Sequence, residues 1–216
     1  NVATNEFKRF TTNGKEFQRS FSNEGTKILT SYVHPNGTYE IHLLSADGTL
    51  LKKFDNSNQY YITEISSTSA GTFLANARNL DGKNAIIELS ESGKITAKTK
   101  WTYHILGRPM EHNGNIYFEA SFNGTDNIYM LQNDTLLELS SNGPGRYSPT
   151  IQPATGEIYF TEFSLNGIQL QKSEIPNTLN RFESIPPLSA LPFYNPEFIM
   201  ESTKISTKVS TDSIPV

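Results

Sequence analysis

The residue types that carry most protein chemistry are few in this chain and scattered along it. The four histidines, His34, His42, His104 and His112, are not spaced as pairs of ligands, and no His-Glu-x-x-His motif is present. A zinc site needs three or four ligands, so these histidines would have to come together from separate parts of the chain. The chain has no cysteine, which excludes disulfides and thiolate ligands. We therefore expect no metal site and no cofactor.

Hydrolytic chemistry has little support in the sequence. No Gly-x-Ser-x-Gly nucleophile elbow exists, and no recognisable base accompanies a serine or threonine nucleophile. Glu119 and Glu162 occupy comparable places in neighbouring repeats and could form a catalytic carboxylate pair. The simpler interpretation is that both are polar residues on strand faces. We expect that this chain has no catalytic residues and is not an enzyme.

The elements that would position these residues follow from a repeat. A pair of glycine-bearing turns recurs four times, and each turn introduces a short apolar run. The first turns of the pairs lie 46, 43 and 42 residues apart, at Gly25, Gly71, Gly114 and Gly156. The second turns lie about ten residues further on, at Gly37, Gly82, Gly124 and Gly167. A period near forty residues with several short strands predicts an all-β propeller of four blades.

Each blade should contain an inner strand with an aromatic residue, two central strands and a polar outer strand. The predicted blades span approximately residues 14–57, 58–100, 101–142 and 143–185. We expect the third inner strand at residues 103–106 and the last outer strand at residues 179–183. In the fourth blade, period-two alternation places Ile158 and Phe160 on one face and Phe163 on the other.

Two segments fall outside the four blades. Residues 7–10 resemble an outer strand without partners, and residues 186–216 form a tail rich in proline, serine and threonine. The tail is either a linker to a further domain or a closing segment. In the second case residues 198–200 and 205–209 form strands that complete a fifth blade with residues 7–10. We expect the chain to be a piece of a longer protein.

Two stretches of sequence carry a resemblance to a known family. Residues 146–162 read RYSPTIQPATGEIYFTE, and residues 123–130 read NGTDNIYM. They resemble the TolB-like, or PD40, propeller repeat, whose usual form is YSPxxSPDGxxIxFxS followed by GxxDIYxM. The resemblance implies the fold, and its motif residues are structural. It also implies one of three settings: a periplasmic protein-binding module, a gating domain beside a serine peptidase domain, or part of a large cell-envelope protein.

The charge and hydropathy of the chain limit the classes of partner that it is expected to bind. The net charge is −4, and no cluster of basic residues is longer than Lys52–Lys53, so on electrostatic grounds we expect no nucleic-acid partner. No apolar run reaches the length of roughly 18 residues that a membrane helix needs, so we expect no membrane insertion of this segment.

Aromatic residues are the remaining functional candidates. They make up 11% of the chain, and inner-strand aromatics would line the mouth of a propeller channel and could bind a ligand. The candidates are Tyr60, Tyr61, Trp101, Tyr103 and Tyr147. The alternative is that they pack between blades. We expect a non-catalytic module that binds a protein or peptide, in the periplasm or at the cell surface. The alternatives are the substrate-gating propeller of a peptidase whose catalytic domain lies outside this chain, and a glycan-binding propeller.

Overall fold

The computed structural model describes residues 16–21, 26–139, 145–175 and 179–182. The regular elements of this part of the chain are β-strands, arranged in four antiparallel sheets that follow one another in sequence. The all-β prediction is confirmed for these residues.

The first and second sheets each contain four strands in sequential order. The strands of the first sheet are β1 (Glu16–Phe21), β2 (Lys27–Val33), β3 (Tyr39–Ser45) and β4 (Leu50–Lys53). Those of the second sheet are β5 (Tyr61–Ser67), β6 (Phe73–Arg78), β7 (Asn84–Leu89) and β8 (Ile95–Ala97).

The third and fourth sheets differ from this scheme at their outer edges. The third contains β9 (Met110–His112), β10 (Asn115–Ala120), β11 (Asn127–Gln132), β12 (Thr135–Glu138) and β16 (Asn180–Phe182). The fourth contains β13 (Arg146–Ile151), β14 (Ile158–Ser164) and β15 (Gly167–Ser173). The order in the third sheet is β16-β12-β11-β10-β9.

Glycines of the repeat that fall in the described residues lie in the hairpins between these strands. Gly37 in the β2–β3 turn has φ of 83°, and Gly82 in the β6–β7 turn has φ of 80°. This left-handed conformation is strained for side-chain-bearing residues and free of strain for glycine. The turn signals in the sequence therefore mark the hairpins correctly.

The cores lie between neighbouring sheets, because each central strand alternates its side chains between two interfaces. Phe73 and Ile87 of the second sheet face the first sheet, whereas Leu74 and Ile86 face the third, and all four are fully buried. We call the three interfaces the first, second and third cores, in chain order. Phe118 lies in the second core and Ile128 in the third, both almost completely buried as predicted.

The third inner strand is not where the sequence placed it. Residues 103–106 lie in the connection from the second sheet, and Leu106 makes a single isolated bridge with Ala120. The strand that pairs with β10 is β9, through a tight turn in which Asn113 and Gly114 have φ of 50° and 76°. The aromatic Tyr103 suggested the earlier position, but the turn requires its strand immediately before it.

The predicted last outer strand, residues 179–183, is also reassigned. Its described part, β16, pairs with β12 of the third sheet and not with the fourth sheet. The reason is packing: the ring of Phe182 lies 5.9 Å from that of Phe122 and 5.5 Å from that of Tyr129, in the second core. Aromatic burial of this kind outweighs strand propensity, which would permit either edge. Residues 7–10 and the tail, residues 186–216, lie outside the described residues.

Candidate functional site

Most of the predicted aromatic residues lie at one end of the sheets. Tyr61, at the start of β5, pairs with Arg78, and Arg78 pairs with Asn84 across the β6–β7 turn. In the first sheet Glu16, at the start of β1, pairs with Tyr32 beside the β2–β3 turn. We call this the entry end, because the inner strands begin there. The loops of this end, rather than the strands, position the candidate residues.

The connection from β4 to β5 is fixed by one buried amide. The Asn56 Nδ2 donates to the carbonyl oxygens of Tyr39 (3.1 Å) and Tyr60 (2.9 Å), and its Oδ1 accepts from the Tyr60 N–H (2.9 Å). The Tyr60 ring lies 5.0 Å from that of Trp101, and both pack against the first core. The Tyr61 ring lies 5.1 Å from that of Tyr39. These three candidates are half-buried.

The connection from the second to the third sheet is anchored in the same way. Asn84 and Thr102 exchange two backbone hydrogen bonds of 2.6 and 2.9 Å, and the Asn84 Nδ2 donates to the His104 carbonyl oxygen at 3.1 Å. The His104 side chain is buried, with its ring edge-on to Phe122 at 5.2 Å. Its two neighbours in sequence, Tyr103 and Ile105, are exposed.

Those neighbours belong to an exposed apolar group at the entry end. Leu80 in the β6–β7 turn is 77% exposed, Tyr103 is 56% exposed and Ile105 is 79% exposed. The Lys83 ammonium lies over the Tyr103 ring, 5.4 Å from its centre. We call Leu80, Lys83, Tyr103 and Ile105 the entry patch. Exposed apolar residues that gather at one place on a surface are typical of recognition sites.

Tyr147, the fifth candidate, lies apart on the inner strand of the fourth sheet. The backbone is irregular there, because Ser148 has φ of 50° at a break in the β13–β14 register. The Ser148 N–H donates to the carboxylate of Glu119 from the third sheet. The Glu119 side chain packs directly on Gly107, where a Cβ would collide with it. This contact holds the fourth inner strand against the third sheet.

Burial shifts the pKa values of two side chains in this region, Glu119 and Tyr147. It raises the pKa of the Glu119 carboxyl, an effect that the Ser148 hydrogen bond opposes and that the charges of Asp126 and Glu64 reinforce. Burial likewise raises the pKa of the Tyr147 phenol, again with Asp126 contributing. A carboxyl with a raised pKa is a common feature of functional sites, but structural contacts produce it as well.

The hypothetical pair of Glu119 and Glu162 has separate partners. The Glu162 Oε2 accepts from the Arg146 Nε at 2.8 Å, and the Arg146 guanidinium lies 4.9 Å from the centre of the Phe160 ring. Glu119 therefore joins the third sheet to the fourth, whereas the Glu162 pair with Arg146 links two strands within the fourth sheet.

Two histidines converge on one carboxylate of the first sheet. The Glu40 Oε1 lies 2.8 Å from the His34 Nε2, and its Oε2 lies 2.9 Å from the His42 Nε2. Lys53 also pairs with Glu40. Burial raises the pKa of Glu40, but hydrogen bonds from Lys53, His42 and His34 outweigh it and lower the pKa to about 2. Across residues 16–21, 26–139, 145–175 and 179–182, no group of three histidine, aspartate or glutamate side chains could hold a metal ion.

The sequence interpretation missed Leu80, Lys83 and Ile105. A signal for Leu80 was present, because a large apolar residue in an Asn-x-Asp-Gly turn is unusual where turn residues are mostly polar. Ile105 carried no such signal, since it was assigned to a buried inner strand. Lys83 is recognised only from its position over the Tyr103 ring.

Comparison with known proteins identifies the fold. No protein-family model matches the sequence, and no curated protein matches it either. Among solved structures, the chain is similar to a putative TolB from Agrobacterium tumefaciens (TM-score 0.58, 18% identity, 76% of this chain and 63% of that chain). It is also similar to TolB from Acinetobacter baumannii (TM-score 0.60, 15% identity, 77% of this chain and 43% of that chain).

A third similar structure is an acylaminoacyl peptidase from Pyrococcus horikoshii, with a TM-score of 0.56 and 10% identity over 85% of this chain and 34% of that chain. The chain thus spans less than two thirds of each of these proteins. Its fold is that of a TolB-like β-propeller, as the sequence repeats predicted. In the described part of the chain, no helix has the length and apolar character needed to cross a membrane.

Proposed function

We propose that this chain is a non-catalytic recognition module that binds a protein or peptide partner through the entry patch. The observation that carries the proposal is the simultaneous exposure of Leu80, Tyr103 and Ile105 at the end of the sheets where the inner strands begin. When a partner covers large apolar side chains that are exposed on a folded surface, the removal of their apolar area from water favours binding.

The chemistry of the patch favours a peptide over a purely apolar ligand. Tyr103 offers an aromatic face with a polar hydroxyl, and Tyr is one of the residues that contribute most to protein interfaces. Lys83 lies over the same ring and can pair with an acidic side chain or a carboxylate of the partner. We infer that the partner presents an apolar residue flanked by a negative charge.

The other aromatic candidates extend the same surface. Tyr60, Tyr61 and Trp101 lie half-buried at the entry end, whereas Tyr147 lies on the inner strand of the fourth sheet. We propose that the first three contribute to the rim of the binding surface, and that Tyr147 contributes if the partner enters the channel.

The proposed absence of catalysis rests on how the carboxylates are used. Glu119 is engaged by Ser148 and packed on Gly107, and Glu162 is engaged by Arg146. Neither is poised beside a second group as a nucleophile and base would be. We propose a location in the periplasm or at the cell surface, on the basis of the TolB-like repeats.

A second candidate function is substrate gating for a peptidase. The similarity to the Pyrococcus horikoshii acylaminoacyl peptidase extends over 85% of this chain and favours it. In that case hydrolysis belongs to a domain outside these residues. Sequencing the whole gene product distinguishes the two, because a downstream domain with a Gly-x-Ser-x-Gly elbow supports the gating function.

A random-peptide selection tests the entry patch. The full chain is used to enrich peptides from a displayed library, and one synthetic peptide is measured by fluorescence polarisation. Leu80→Asp and Tyr103→Ala should each weaken its binding by about tenfold or more, because both remove contact at the centre of the patch. Leu51→Asp, at an exposed leucine on β4, is the control and should leave the affinity unchanged. Equal affinity in all variants would show that recognition occurs elsewhere.

A further inference from the structure

A cleft lies between the outer strands of the second and third sheets, because the two sheets differ in width. Among the described strands the second sheet ends at β8, whereas the third continues through β12 to β16 and is one strand wider. Phe182 on β16 faces the second sheet, since its ring packs in the second core. This outermost part of the third sheet therefore extends past the last strand of the second.

The outer edge of the second sheet is irregular at the same place. After β8, the backbone N–H groups of Lys98 (2.8 Å) and Thr99 (3.4 Å) both point at the carbonyl oxygen of Ile86. The Thr99 Oγ1 accepts from the Ile86 N–H at 2.9 Å, in place of a backbone carbonyl. Two residues opposite one is the arrangement of a β-bulge, which bends its strand. Residues 97–100 leave the line of the sheet there and form one wall of the cleft.

The other wall of the cleft belongs to the third sheet and is apolar. The cleft has a volume of about 380 Å³, within the range of roughly 300–1,000 Å³ that is usual for small-molecule sites. Its apolar wall consists of Phe118, Leu131, Leu136 and Phe182. The first two are buried, whereas Leu136 and Phe182 are half-buried. A hydrocarbon chain that covers these two side chains removes apolar area from water, and this favours binding.

The wall formed by the second sheet carries positive charge. The Lys98 Nζ lies 3.4 Å from the Glu88 Oε2, on the face of β7 that also carries Ile86 and therefore faces the third sheet. Lys100 is exposed, and within the described ranges no carboxylate lies at ion-pair distance from it. The chain as a whole has a net charge of −4, so a cationic lining is a local feature. The charged residues that line the cleft are Lys98, Lys100, Arg181 and Asp134.

We propose that this cleft binds an aliphatic carboxylate, with the hydrocarbon chain against Leu136 and Phe182 and the carboxylate beside Lys100. A cavity with one apolar wall and one cationic wall is complementary to a ligand that has both characters. Its volume is that of a small-molecule site and not that of a docking surface for a folded partner. None of the entry-patch residues lines the cleft, so this proposal is independent of the recognition function proposed above.

Isothermal titration calorimetry of octanoate into the full chain tests the proposal. Octanoate should bind with a Kd of about 1 mM or lower, and added salt should weaken binding because the carboxylate contact is electrostatic. Octan-1-ol, which has the same chain length without the charge, should bind about fivefold more weakly, the loss expected for one partly exposed ion pair.

Two pairs of variants assign the binding to the cleft. Lys100→Glu should weaken octanoate binding by about fivefold or more and leave octan-1-ol binding unchanged. Its matched control is Lys94→Glu, the same charge reversal at an exposed position in the β7–β8 turn outside the cleft. Phe182→Ala should weaken the binding of both ligands, because it removes part of the apolar wall. Its control is Phe163→Ala, at an exposed ring on the fourth sheet.

Three results would overturn the proposal. The first is that octanoate does not bind to the full chain. The second is an equal loss of affinity for Lys100→Glu and Lys94→Glu, which would show that the charge effect is not local to the cleft. The third is tighter binding of N-acetyl-Leu-Leu than of octanoate, which would assign the cleft to peptide C-termini. Far-UV circular dichroism confirms that each variant keeps the β-sheet signal of the parent, and Leu136→Gln replaces Phe182→Ala if that variant does not fold.

Discussion

The second and fourth sheets are built from the same repeat but differ in what surrounds them. In the second sheet, consecutive residues such as Phe73 and Leu74 are both buried, one in the first core and one in the second. In the fourth sheet, Phe160 is buried in the third core while Phe163, on the opposite face of β14, is exposed. Both sheets have apolar residues on two faces, so the sequence of a blade does not decide whether both faces are covered.

The difference shows that stability in this fold comes from contacts between sheets. A single sheet with two apolar faces gains little until neighbours cover them, because burial of apolar surface is the main favourable term. The second sheet has its full complement of neighbours among the described residues. Among the described residues the fourth sheet packs against one neighbour, the third sheet.

The largest loss in the free energy of unfolding is expected for a substitution in the second sheet. Phe73→Ala removes a fully buried ring from the first core and should lower the free energy of unfolding by about 3–5 kcal/mol, the usual cost of truncating a buried Phe. The measurement is urea denaturation followed by circular dichroism.

Leu51→Ala, on the exposed surface of β4, is the control for the Phe73 variant, and its effect should stay within about 0.5 kcal/mol. A loss below about 1 kcal/mol for Phe73→Ala would mean that the first and second sheets are not packed against each other, and the comparison between the two sheets would fail.

A loss of intermediate size in the free energy of unfolding is expected on the face of the fourth sheet that packs against the third core. Arg146 pairs with Glu162 and lies over the Phe160 ring, so Arg146→Ala removes an ion pair and a cation–π contact and leaves a half-buried carboxylate unpaired. The loss should be about 1–2 kcal/mol, between the values for exposed and buried pairs.

The matched control lies at the solvent-exposed edge of the same sheet. Lys172 pairs with Glu157 at 2.7 Å, and both groups are accessible to water, so Lys172→Ala should leave the unfolding midpoint unchanged within error. Equal losses for Arg146→Ala and Lys172→Ala would contradict the distinction between the covered and exposed sides of this sheet.

The fold was predictable because it rests on local signals. Turn glycines such as Gly37 and Gly82 adopt the positive φ that the hairpins require, and period-two alternation separates Phe160 from Phe163. The partner of β16 was not predictable, because Phe182 suits either of two outer edges. The edge with which β16 pairs depends on the packing of Phe182 against Phe122 and Tyr129, which is a tertiary contact.

The candidate site was predictable only in part. The aromatic residues were found from composition and position, but the arrangement of Tyr60 depends on hydrogen bonds of Asn56 to residues 17 positions earlier and 4 positions later. Tyr103 was assigned to an inner strand and lies instead in a connection, beside Ile105. Loop positions depend on such nonlocal contacts, and propensity carries little information about them.

The smallest expected effect concerns a carboxylate that joins the second sheet to the third. The Glu111 Oε2 accepts from the Ser69 N–H (2.8 Å) and hydroxyl (2.7 Å), and its Oε1 accepts from the Gly114 N–H (2.7 Å). Burial raises the pKa of Glu111, but these hydrogen bonds outweigh it and hold the pKa below the ordinary value of 4.5. The fourth sheet offers Glu157, whose pKa is lowered mainly by the exposed Lys172, as the matched comparison.

A lowered carboxyl pKa means that the folded protein binds protons less readily than the unfolded chain, so Glu111 contributes stability above pH 4.5 that is lost as the pH falls toward its folded pKa. Glu111→Gln should therefore lower the free energy of unfolding by less than about 1 kcal/mol near neutral pH, and the difference from the parent should shrink in acid. Urea denaturation at a neutral and an acidic pH measures both values.

Glu157→Gln should show no such pH-dependent difference, because its exposed pair with Lys172 is screened by solvent. If the Glu111 and Glu157 variants behave alike, the contact between the second and third sheets is as weak at this point as the solvent-exposed edge of the fourth, and the contrast between the two sheets is confined to their apolar cores.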